Sequence, residues 1–188
     1  MHVLVALCSM LLVQADAPHA QPIALAVPME KWLIWVDTND WVYSPPDIAS
    51  RGTGIVGIFL REDGTALKVR GAIYESTNDV PPQPTLSVGD GYRVEVGRWQ
   101  ITADSTAVVI NLKVAALEKS IGAQIGDESK LEFRVNGQHL VDDKSWFVPA
   151  AAVYPSTHES LEKQLLARCC CASVVVRVVP ECRQSGCQ

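Results

Sequence analysis

The sequence predicts an all-β domain: a single antiparallel meander of about eight strands, closed or nearly closed into a barrel, followed by a helix. Three observations carry this expectation. Across residues 55–148 apolar and polar side chains alternate with period two, the period of a half-buried strand. Tight-turn dipeptides punctuate the alternation, above all Asp63-Gly64 and Asn136-Gly137, which supply the positive φ angles that two-residue hairpin turns need. After Pro155 the period changes, and Leu161, Leu165 and Cys169 mark one face of a helix. Closing the meander removes the unpaired edges that an open sheet exposes.

The chain of 188 residues divides into four stretches. Residues 1–15 carry no Lys, Arg, Asp or Glu, and residues 3–13 form an apolar run broken only by Ser9. Such a run is too short to span a bilayer and reads as a signal peptide, with Val13 and Ala15 at the −3 and −1 positions of a cleavage site. Cys8 follows Leu7 rather than a small residue, which does not fit a lipoprotein anchor. Residues 16–30, with Pro18, Pro22 and Pro28, read as a linker or extended arm. Residues 31–154 are the barrel domain and residues 155–188 a C-terminal helix with a Cys-rich tail. A domain of roughly 120–150 residues buries about 70% of the surface of its unfolded chain, so it needs no metal or disulfide to fold. With 48% hydrophobic and 20% charged residues the composition is that of an ordinary globular protein. The net charge of −5, without a Lys/Arg cluster, excludes a phosphate-tracking nucleic-acid binder.

The strands follow in order. Trp32-Leu33-Ile34-Trp35-Val36 is a β-branched and aromatic run, and Trp41-Val42-Tyr43 a second short one after the turn at residues 37–40. Residues 55–61 place Val56, Ile58 and Leu60 on one face. After the Asp63-Gly64 turn, Leu67, Val69 and Ile73 share one face, with Lys68 and Arg70 on the other. Residues 75–91, with Pro81, Pro82 and Pro84, read as a long loop that would rim an opening. Tyr92, Val94 and Val96 share a face, but Trp99 and Ile101 fall on the opposite parity, as a β-bulge beside Gly97 would produce. Val108, Ile110, Leu112 and Val114 line one face of the next strand. Leu117, Ile121 and Ile125 suggest a short helix. Leu131, Phe133 and Val135 alternate up to the Asn136-Gly137 turn, and Trp146-Phe147-Val148 is the last strand of the meander. Ser156-Thr157-His158-Glu159 fits a capping box for the helix, and residues 174–179 read as a strand stopped by Pro180.

The chemical motifs are weak. Gly52-x-Gly54-x-x-Gly57 matches a dinucleotide fingerprint by letter, but an alternating strand follows it where phosphate binding needs a helix N-terminus. His139 with Asp142 or Asp143 is the best base–carboxylate pair for a hydrolase, without a nucleophile elbow to accompany it. The carboxylates otherwise sit at turns, where Asp bonds its own backbone. Six cysteines occur, with none in residues 9–168. Cys182 and Cys187 are candidates for a disulfide, a zinc site with His158 is an alternative, and a tail without function is a third. No metal site or cofactor is expected. Five tryptophans supply area and a polar handle, for a core or for a pocket.

With the meander, the Asp63-Gly64-Thr65 hairpin and Gly97-Arg98-Trp99, which looks like a Gly-x-Trp signature, the chain resembles the small exported lipocalin-like barrels over roughly residues 31–150. That signature opens the first strand in lipocalins and lies mid-chain here. The helix after Ser156 is similar to the end of such barrels. The expected function is non-catalytic binding of a small apolar ligand or a protein partner outside the cytoplasm, periplasmic or secreted. Trp35, Tyr92, Trp99 and Trp146 are the ligand-binding candidates. The alternative is a structural or envelope-associated interaction protein with a fully packed core, which Val56, Ile58, Val69, Val108, Ile110 and Phe133 would fill; a hydrolase ranks third. No catalytic residue, nucleic-acid partner or membrane span after signal removal is expected. N-terminal sequencing of protein from the native host should find Asp16 first, on material outside the cytoplasm; cytosolic protein that retains residues 1–15 would refute export.

Overall fold

Strand-forming alternation becomes a closed ring. The structure, a computed structural model, describes residues 25–37, 50–76, 84–87, 92–117, 123–171 and Cys182. Nine strands occur among them: β1 (Trp32–Asp37), β2 (Ser50–Leu60), β3 (Thr65–Ser76), β4 (Pro84–Ser87), β5 (Arg93–Ile101), β6 (Ala107–Leu117), β7 (Glu128–Asn136), β8 (His139–Val141) and β9 (Trp146–Pro149). All pairs are antiparallel. Leu33 opposite Pro149 and Ile34 opposite Val148 join β9 back to β1. Eight strands thus close an up-and-down barrel. The ninth, β4, adds to β3 beside Ala72–Glu75, above the stretch of β3 that pairs with β5. Two helices follow, α1 (Ala150–Val153) and α2 (His158–Cys170).

Two apolar clusters, one on each side of the wall, explain the packing. The first draws Leu33, Ile58, Leu60, Ala66, Val108, Ile110, Phe133, Leu140 and Phe147 from strands all round the ring, so it is the barrel interior. The second draws Trp32, Ile34, Ile55, Leu67, Val69, Ile73, Val94 and Val96 from one side only and joins them to Leu161, Leu165 and Cys169 of α2. It is the outer face of β1, β2, β3 and β5, buried under the helix. Leu161 and Leu165 are fully buried there, each contributing about 1.5–3 kcal/mol. Gly57 makes the layer thin enough: a Cβ on it would sit 3.1 Å from the Trp32 ring and 3.5 Å from Leu165. Gln164 Oε1 accepts the Leu86 N–H at 2.8 Å, and the Tyr92 hydroxyl donates to the Arg168 carbonyl at 3.2 Å, so α2 also satisfies polar groups of β4 and of the segment before β5.

This second layer corrects the expectation for β3. Val69, expected inside with Val56, Ile58, Val108, Ile110 and Phe133, packs outside under α2 with Leu67 and Ile73. Lys68 and Arg70 point inward, since they stand opposite the interior residues Ile58 and Val56. The alternation of the two faces holds and their direction is inverted, because the helix supplies an apolar environment outside the wall.

Other differences are local. The register shift lies between Val94 and Glu95, with Ala115 as the extra residue on β6, and not beside Gly97. Gly97 has another role: a Cβ there would lie 1.8 Å from the Asn111 carbonyl oxygen, so β6 crosses directly against its backbone. Leu117 ends β6 instead of starting a helix. Gly52, Gly54 and Gly57 all lie within β2, which begins at Ser50. The expected loop at residues 75–91 includes the end of β3 and all of β4. The residue flanking the start of α2 is Thr157, and it makes no side-chain capping bond, so the Ser156–Glu159 box does not form. The expected strands at residues 41–43 and 174–179, the signal peptide and most of the linker lie outside the described residues. The end of that linker is part of the fold: Leu25, Val27 and Met29 pack into the interior cluster.

Cys182 is bonded to Cys170, with Cα atoms 4.7 Å apart, which corrects its expected pairing with Cys187; Cys187 lies outside the described residues. Both bonded cysteines are buried in the layer under α2, so the last helical turn, and not the tail, presents the partner thiol. A loop of this size contributes about 3 kcal/mol. Burial pushes the neighbouring Cys169 thiol well above its ordinary value, which keeps it protonated and unreactive.

Gly97→Ala should cost about 1–3 kcal/mol or more, since β6 backbone must shift to admit the methyl. Gly137→Ala, with φ +60 and nothing within 4 Å, should cost about 1–2 kcal/mol through strain alone. Urea unfolding of both variants tests the ranking.

Candidate functional site

The two ends of the barrel differ. One end is shut by apolar packing. Leu25, Val27 and Met29 cross it, and the Glu30 N–H bonds the Leu60 carbonyl at 2.9 Å. The Arg61–Thr65 hairpin folds over the same end, where the Trp99 indole N–H donates to the Arg61 carbonyl at 2.8 Å and Arg98 Nη1 donates to the Asp63 carbonyl at 2.9 Å. Asp63 Oδ1 accepts the Thr65 N–H at 2.8 Å, a bond that holds its carboxyl below the ordinary range. Beneath this lid Phe133 and Phe147 meet edge to face, ring centres 5.3 Å apart.

Toward the other end the inward positions become charged. The pairing of β3 with β5 sets Lys68 opposite Glu95 and Arg70 opposite Arg93, all on the interior face. Glu95 is 1% exposed. It accepts from Lys68 Nζ at 3.2 and 3.4 Å, from Arg93 Nη2 at 2.5 Å and from the Ser129 hydroxyl at 3.0 Å. A buried carboxylate is tolerated because charge-assisted bonds of this kind replace its water. Burial pushes the Lys68 ammonium below its ordinary value, and Glu95 opposes that shift. Arg70 is exposed and makes no ion pair among the described residues. Arg93 Nε is buried without a hydrogen-bond partner among the described residues.

Around the cluster three inward apolar side chains keep part of their surface exposed. Trp35, Val56 and Leu131 belong to the interior cluster, yet each is only half-buried. Among the described residues the strand pairing is also interrupted here. Strands β8 and β9 are three and four residues long. Consequently residues 128–133 of β7 pair with β6 on one side and with no strand on the other among the described residues. Residues 35–37 of β1 are likewise paired only with β2. Trp35 and Leu131 flank this slot from opposite sides. The arrangement offers cationic hydrogen-bond donors beside half-exposed apolar walls.

The four aromatic candidates do not converge. Trp35 faces the open end, its ring 6.4 Å from Phe147. Trp99 belongs to the lid at the shut end. Tyr92 lies outside, under α2. Trp146 is 54% exposed on the outer surface, its ring 5.7 Å from that of His139. His139 is thus engaged by an indole, and Asp142 Oδ1 accepts from the Lys144 and Ser145 amides at 2.7 and 2.6 Å. A surface hollow of about 460 Å³ lies over Pro155–Ser160 and Lys163, open to solvent and apart from the barrel interior. Sequence reasoning missed Lys68, Arg70, Arg93 and Glu95. One signal was present: two cations at alternate positions of β3, and an Arg–x–Glu on the next long strand, share parity and meet on pairing.

The chain matches no family model, no curated protein and no solved structure at a significant level. What defines it is therefore its own architecture, an eight-stranded up-and-down antiparallel barrel with a short C-terminal helix.

Glu95→Gln should destabilise the protein by about 3–5 kcal/mol, since Lys68 and Arg93 lose the carboxylate they share. Ser129→Ala should cost about 1 kcal/mol. Chemical denaturation of the two variants against the parent checks the ratio; near-equal effects would mean that the ion cluster contributes nothing.

Proposed function

We propose that this protein is an exported, non-catalytic binding barrel that takes a small molecule into the charged, half-open end of its interior. The observation that carries this reading is the contrast between the two ends. Leu60, Phe133, Leu140 and Phe147 are packed shut at one, while Trp35, Val56 and Leu131 stay half-exposed on inward positions at the other. Binding sites combine such walls with a few convergent polar groups, and Lys68, Arg70 and Arg93 are convergent here. Among the described residues, the unpaired edges beside Trp35 and Leu131 leave a way in. Signal-peptide features at residues 1–15 support action outside the cytoplasm.

A second reading, an interaction protein with a solid core, draws on the packed half and on exposed Trp146 beside His139. It ranks below the first because it gives no role to Arg70, which makes no ion pair among the described residues.

Native mass spectrometry of protein purified from its own host should show a small molecule retained in stoichiometric amount, and Trp35→Ala should lower its occupancy. Reproducible absence of any retained molecule, with Trp146→Ala abolishing capture of a purified protein partner, would favour the second reading.

A further inference from the structure

We infer that the open end of the barrel recognises an anionic head group, a carboxylate or a phosphate monoester, on a molecule whose remaining body is apolar. The inference rests on the binding reading above and specifies its ligand. Lys68, Arg70, Arg93 and Glu95 hold inward positions of β3 and β5. Glu95 spends its oxygens on Lys68, Arg93 and Ser129. Arg70 keeps a whole guanidinium unpaired among the described residues, and Arg93 keeps a buried Nε without an acceptor.

The register sharpens the point. Arg70 stands directly opposite Arg93 on the same face of an antiparallel pair. Like charges in that position oppose pairing. An anion between the two guanidinium groups reverses the sign of the interaction, and guanidinium forks match carboxylate and phosphate oxygens. Half-buried Val56 is the other cross-strand neighbour of Arg70, and half-buried Trp35 lies next to Val56 on the same row. A head group held by the arginines therefore leaves its body against an aliphatic and an indole surface. A ligand that was apolar throughout would use the walls and leave the arginines as they are.

The test uses the full-length mature protein and three probes that share one chain: dodecanoate, dodecyl phosphate and 1-dodecanol. Binding is read by quenching of tryptophan fluorescence and by calorimetry, below the concentrations at which the probes aggregate. Dodecanoate or dodecyl phosphate should bind roughly tenfold or more tighter than the alcohol. Whichever of the two binds tighter identifies the head group. Arg70→Gln should remove that advantage while leaving the melting temperature unchanged or higher, because the variant also removes the Arg70–Arg93 repulsion. Arg93→Lys is the second variant: it retains the charge beside Glu95 and loses the planar fork, and should lower anion affinity without collapsing the cluster. Equal binding of alcohol and anions, or full anion affinity in Arg70→Gln, would overturn the anionic head group while leaving a binding barrel. Failure of all three probes would overturn both.

Discussion

Everything distinctive about this barrel depends on the contact between α2 and the outer wall. An isolated small barrel buries one face of its sheet and wets the other. Here Leu161, Leu165 and Cys169 cover Leu67, Val69, Val94 and Ile34 from outside, so part of the wall is apolar on its outer surface. Once that burial is secured outside, the inward positions of β3 and β5 need not be apolar. They carry Lys68, Arg70, Arg93 and Glu95 instead. Without the helix the same strands would expose a row of leucines and valines to water and enclose charges, an arrangement no hydrophobic driving force would support.

The charged cluster also has a physical consequence for the wall. A carboxylate that is 1% exposed must keep its partners, and Glu95 holds three side chains from β3, β5 and β7. It thereby ties together β3, β5 and β7 at the end that β8 and β9, three and four residues long, do not reach. The apolar half is fixed by close packing and the polar half by shared charge. Such a division lets one end be rigid and dry while the other retains unsatisfied donors. Groups left unsatisfied at a cost to stability gather where a protein has a task for them.

Much of the architecture was legible in the residues. The Asp63-Gly64 and Asn136-Gly137 turns, the alternation of Val108, Ile110 and Leu112, and the helical spacing of Leu161, Leu165 and Cys169 each correspond to an element of the fold. Local chemistry governs these: turn residues need particular φ angles, and side-chain period follows backbone geometry. The charged end was much less legible. Of the four aromatic residues, Trp35 stands at that end, while Tyr92, Trp99 and Trp146 stand elsewhere. Tryptophan signals area without direction. For the ionic residues, period two separates Lys68 and Arg70 from Leu67, Val69 and Ile73 and does not say which face is inside.

The sequence alone determined which residues share a face, where hairpins turn and where strand gives way to helix, because period and turn chemistry are properties of a few neighbouring residues. It did not determine which face is the inside. That was decided by tertiary structure: α2 docks on one side of β3, the ring closes through β9 and β1, and the energetics of every side chain on the wall follow from which side water can reach. Lys68 and Val69 are neighbours in the chain, and only the closed, helix-covered barrel places the charge within and the valine without.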